Sequence, residues 1–174
     1  MQYKSCYGII LLCGILIIRS TVCAQITDAI SSASLSGITV FTISIGELSP
    51  EVQGNGLKAE QLRTDVESKL QSAGINIIPE PGWIDTAGAA ELYLEVNTLK
   101  YGTTQYSYCV HFSVIQKVSL PRNATRGTLG STWSASAMGV VGQNRVAGAI
   151  REQVGEQLAR LISRYLAANP PPQR

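Results

Sequence analysis

The chain has 174 residues, with 14 basic and 12 acidic side chains and a formal net charge of +2. That length suits one domain with a real core, and so small a charge argues against a dedicated nucleic-acid surface. With 15% charged and 45% hydrophobic residues and a single histidine, the chain is neither a disordered polyelectrolyte nor a coiled coil, and it offers no His-rich metal site.

The first 24 residues read as a secretory signal peptide. Lys4 supplies the positive start, Gly8 to Ile18 is an unbroken apolar run, and Val22-Cys23-Ala24 ends in a small residue. Cleavage is expected after Ala24. The apolar run is shorter than the roughly 20 helical residues that cross a bilayer, so no transmembrane segment is expected after cleavage. Cys23 opens a lipoprotein alternative, although Ser20-Thr21-Val22 stands where a lipobox wants Leu first and a small residue last. Removing Lys4 and Arg19 leaves 12 basic and 12 acidic residues, a mature charge of zero. It also leaves Cys109 as the last cysteine, so a mature domain is expected to rest on its core without an internal disulfide.

Residues 25–37 are small and polar and read as a linker or a weak helical turn. A single α/β (α+β) domain is expected over 38–168. Ile38 to Leu48 is β-branched and apolar on both faces, as in a central strand. A loop with Pro50, Gly54 and Gly56 follows. From Leu57 to Ala73 the period changes: Leu62, Val66, Leu70 and Ala73 share one helical face, and Gly74 is placed to end the helix left-handed. Ile75 to Ile78 is a short strand stopped by Pro79 and Pro81. This strand–helix–strand order predicts a right-handed crossover and parallel neighbours.

Glu91 to Tyr101, Tyr106 to Leu120 and Thr128 to Val141 form an antiparallel meander. In the middle strand Tyr106, Tyr108, Val110, Phe112, Val114, Val118 and Leu120 share even positions and hence one buried face. Arg145 to Ala168 carries the stripe Val146, Ile150, Val154, Leu158, Leu161, Ile162 and Tyr165, a long helix suited to covering the sheet. Asn169 and three prolines end it, giving a Pro-rich tail over 169–174. The expected fold is a single mixed β-sheet in the order β-α-β-β-β-β-α, with an internal helix and a long C-terminal helix packed on it.

Candidate chemistry is sparse. Cys109 and His111 alternate on one strand face, which could begin a metal site, yet two further ligands would be needed. Their parallel projection about 6–7 Å apart is also beyond nucleophile–base reach. No metal and no cofactor is expected. The carboxylates Glu47, Glu51, Glu91 and Glu95 leave a hydrolase as an alternative, which would need a desolvated pair in one cleft. Trp83, in the loop Pro79-Glu80-Pro81-Gly82-Trp83, needs a docking groove or a partner for its ring.

The run Gly56 to Ile75 (GLKAEQLRTDVESKLQSAGI) resembles the helix and following strand start of small exported bacterial proteins. The order of elements over Ile38 to Ala168 resembles the periplasmic α/β domains of the curli-secretion lipoprotein and the TolB N-terminal type. The resemblance implies a binding or assembly module of the cell envelope. A periplasmic or secreted peptide or small-molecule binder is the other reading.

Charge is unevenly spread. Residues 25–116 hold 4 basic and 10 acidic side chains, whereas residues 117–174 hold 8 and 2. Arg122, Arg126 and Arg145 are therefore, with Trp83, the candidate binding residues. The expected partner is an envelope protein or an anionic surface, with no nucleic acid.

Overall fold

The computed structural model describes residues 31–170. The expected signal peptide, the first part of the expected linker (25–30) and the end of the tail lie outside the described residues. The elements run β1 (Val40–Ile45), α1 (Pro50–Gly54), α2 (Ala59–Ser72), β2 (Asn76–Ile77), β3 (Ala89–Tyr101), β4 (Gln105–Leu120), β5 (Asn123–Gly142) and α3 (Val146–Ala168). Two 3-10 turns, Trp83–Asp85 and Gln143–Arg145, precede β3 and α3.

One mixed sheet carries the fold, in the order β2-β1-β3-β4-β5. β1 is an interior strand, second from the edge, and parallel to both β2 and β3, while β3–β4 and β4–β5 are antiparallel. The parallel β1–β2 pair follows from α2 crossing between them, since a helix is long enough to return the chain to the same end. Helix α2 buries Leu62, Val66 and Leu70, and Gly74, at φ +75, takes the left-handed turn that releases the chain toward β2.

Helices α2 and α3 join one sheet face in a continuous core. Phe41, Ile43, Leu92, Leu94, Val110, Phe112 and Val114 from the strands meet Leu70, Ile150, Leu158 and Leu161 from the helices. Phe41 and Tyr165 form an edge-to-face pair with ring centroids 5.7 Å apart. At roughly 1.5–3 kcal/mol for each large buried side chain, this layer is the principal source of stability.

Three local expectations are revised. The loop after β1 contains a short helix, α1. Ser49 Oγ accepts from the Val52 amide at 3.4 Å, Pro50 opens the turn, and Val52 is fully buried. The end of the expected linker belongs to the core: residues 31–33 are helical and Leu35 is fully buried. The even-numbered row of β4 is buried through Val114, but a bulge follows it, and Val118 and Leu120 beyond are only half-buried.

Candidate functional site

Side chains alternate across a strand, so the residues facing away from the helices can be read from the register. On that far face β3 presents Glu91, Tyr93, Glu95, Asn97 and Leu99. β4 presents Ser107, Cys109, His111 and Ser113, and β5 presents Ser134, Ser136, Met138 and Val140. The face is covered beneath β1, where Ser44 Oγ hydrogen-bonds Glu80 Oε1 of the loop before β3 and Thr42 is buried. Toward Leu99, Met138 and Val140 it is exposed, with no element among the described residues laid over it.

Register stacks this open face in rows. Leu99, Ser107 and Val140 are cross-strand neighbours, as are Asn97, Cys109 and Met138, and then Glu95, His111 and Ser136. The first two rows have small side chains on the middle strand and long ones on its flanks. Two strand spacings, about 10 Å, separate the flanking walls. The result is a trough of about 550 Å³, with Ser107 and Cys109 on its floor and Leu99, Met138 and Val140 among its walls. These walls are unusually wet: Leu99 is 69% exposed, Met138 82% and Val140 69%, with Tyr101 at 70% on the same strand as Leu99. Clustered apolar exposure of this kind marks a contact surface more often than isolated exposed residues do.

The third row is polar. His111 Nδ1 lies 2.6 Å from Ser136 Oγ and Nε2 lies 2.9 Å from Ser113 Oγ, so both ring nitrogens are engaged by hydroxyls. Ser113 lies on the side of His111 away from Cys109 along β4, so the ring is held toward serines and not toward the thiol. Among the described residues no group of three His, Cys, Asp or Glu side chains is placed to hold a metal ion.

The four carboxylates belong to different elements. Glu47 lies beyond the end of β1 and Glu51 in α1, whereas Glu91 and Glu95 are on β3. Glu91 and Glu95, four residues apart on one face, have backbones about 13 Å apart at strand rise.

Trp83 opens a 3-10 turn and is 6% exposed, outside the main core cluster. Its need for a groove is met within the chain, and the ring offers little surface to a partner. Its segment lines a depression of about 590 Å³ with Gln116, Lys117, Thr125 and Gly127.

The three candidate arginines are not one patch. Arg122 and Arg126 flank the start of β5, and Arg145 follows its end. The paired length of β5, matched to Gln105–Leu120 of β4, lies between the two ends, about 50 Å at strand rise. Another basic residue of the C-terminal helix, Arg151, pairs with Asp65 on α2 at 2.8 and 3.0 Å. That hydrogen-bonded carboxylate raises the Arg151 pKa and leaves its charge locally balanced. The trough residues Leu99, Met138 and Val140 were legible only as strand members. Their signal is apolar character at the solvent-facing parity, visible in Ala137-Met138-Gly139-Val140-Val141, where alternation fails.

No family model matches the chain, and no curated protein matches it. Among solved structures it is similar to lipoprotein GNA1162 from Neisseria meningitidis, with 14% identity and a TM-score of 0.37 over 71% of this chain and 96% of that one. It is also similar to a minor lipoprotein from Acinetobacter baumannii, with 9% identity and a TM-score of 0.31 over 75% of this chain and 93% of that one. No helix among the described residues is long and apolar enough to cross a membrane.

Proposed function

We propose that this protein is an exported, non-enzymatic binding or assembly module of the cell envelope, whose ligand-contact surface is the trough on the open face of β3–β5. The carrying observation is the clustering of Leu99, Met138 and Val140 as exposed walls over the small floor residues Ser107 and Cys109. Export rests on the leader features of residues 1–24. The resemblance in element order to periplasmic α/β modules agrees with an envelope role.

The chemistry of the walls selects an apolar ligand segment. Its burial would remove about 25 cal/mol from the free energy for each square ångström of apolar surface taken from water. A flat sheet with a shallow channel suits an extended peptide side or an alkyl chain better than a compact polar metabolite, which needs converging hydrogen-bond groups.

The reading is tested with N-phenyl-1-naphthylamine, an apolar dye that brightens when it leaves water. Wild-type protein is expected to give a saturable fluorescence rise. The double variant Leu99→Glu/Val140→Glu should weaken it at least tenfold, and Arg145→Gln should leave it unchanged. No rise, or an equal rise in the double variant, overturns the assignment.

A further inference from the structure

The opposite end of the sheet carries a different surface. β4 pairs with β3 only as far as Ile115, opposite Glu91. Beyond that point β4 and β5 continue alone as a two-stranded ribbon over residues 116–130. The ribbon holds three cations, Lys117, Arg122 and Arg126, and no acidic residue. All three are exposed, and none is in an ion pair with a described residue. Asp85, at the ribbon's base, lines the same depression as Lys117 and is the acidic group facing it from the neighbouring turn.

Apolar side chains sit among these cations. Leu129 lies directly opposite Lys117 and is exposed, and Val118 and Leu120 are half-buried. The Lys117 stem lies along Gly127, where an added Cβ would meet its Cε at 3.2 Å. The aliphatic stem is thus laid on the ribbon while the ammonium is free to reach outward. An isolated two-stranded ribbon is marginal in water, and this one is held at its base, where Gln116 donates to the Ser34 carbonyl at 2.9 Å and the Trp83–Ala89 segment lies alongside.

We infer that the ribbon docks the protein on an anionic lipid surface, with Lys117, Arg122 and Arg126 against headgroups and Leu120 and Leu129 at the interface. Charge complementarity carries the choice, since each such cation near an anionic leaflet adds a comparable increment of attraction. The interleaved leucines favour a lipid interface over a soluble polyanion, which would have no use for them. This surface is distinct from the trough, so either assignment can fail without the other.

Cosedimentation with vesicles of phosphatidylglycerol and phosphatidylcholine, against phosphatidylcholine alone, tests it. Full-length wild type and variants are prepared identically, so that any contribution of the apolar run at 8–18 is common to all, and the readout is the preference for anionic over neutral vesicles. Lys117→Gln/Arg122→Gln/Arg126→Gln should reduce that preference about a hundredfold. Arg145→Gln, at the far end of the sheet, should change it less than about threefold. Leu120→Ser/Leu129→Ser, which keeps every charge, should weaken vesicle binding while preserving its salt dependence. Raising ionic strength from about 0.05 to 0.5 M should collapse the wild-type preference. The inference is overturned if wild type shows no anionic preference or if the triple charge variant retains it. Ribbon-dependent retention on heparin without vesicle preference also overturns it and assigns the cations to a soluble polyanion.

Discussion

Tyr165 joins three parts of the domain through one side chain. Its ring packs edge-on against Phe41 of the sheet, and its hydroxyl donates to the Ile38 carbonyl at 2.9 Å. Burial raises its pKa above the ordinary tyrosine value of 10.0, because the phenolate is poorly solvated there. A proton held more tightly in the folded state means that the contribution is intact below the unfolded pKa and is lost as pH rises through the folded one. Wild type should therefore lose stability above about pH 10. Tyr165→Phe starts lower, having lost the hydrogen bond, and should lose less over the same interval. Urea midpoints at pH 8 and about 10.5 read the difference; equal losses in both proteins would contradict the argument.

At the scale of elements, β5 shows how a strand's composition is set by its neighbours. Gly139 stands opposite Tyr108, and a Cβ built there would meet the Tyr108 hydroxyl at 2.5 Å and its Cζ at 2.6 Å. The tyrosine ring occupies the space that a side chain would fill. Gly139→Val gains β-propensity on paper, yet it must expel that ring, and overpacking of this kind costs about 1–3 kcal/mol. A lower urea midpoint is expected in Gly139→Val, with recovery in Gly139→Val/Tyr108→Ala; a gain in the single variant would show that the ring moves freely. Helices α2 and α3 were legible because their stripes, such as Val146, Ile150, Val154, Leu158 and Leu161, repeat over many turns. Helix α1 was not, since five residues cannot display a period. The capping pair Ser49-Pro50 was its available signal. The trough was hidden for a related reason: apolar residues fit strand interiors, and Leu99 and Val140 become conspicuous only because no described element covers them.

For the whole molecule, the joint between the segment before β1 and the end of α3 is decisive. Asn169, just past α3, donates from Nδ2 to the Leu35 and Tyr165 carbonyls at 2.9 and 3.0 Å. Its Oδ1 accepts from the Gly37 amide at 2.8 Å. Leu35, fully buried, is thereby clamped between the first described turn and the end of the last helix. Asn169→Ala should cost about 1–3 kcal/mol, because partly buried backbone groups lose partners that water reaches poorly. Hydrogen exchange should show the Gly37 amide deprotected first. An unchanged midpoint and unchanged exchange would mean that the segment is held by Leu35 alone.

The classes of element, the single mixed sheet, the buried stripes of both long helices and the imbalance of charge between the two halves are all legible along the chain. These are local or periodic properties, and solvent reads them residue by residue. The strand order, the exposed end of the far sheet face, the shelter of Trp83 and the parting of Arg145 from Arg122 and Arg126 by the length of β5 arise only on folding. Those outcomes depend on which distant segments pair. Pairing is a competition among non-local contacts whose closure entropy and packing no single window of the chain contains.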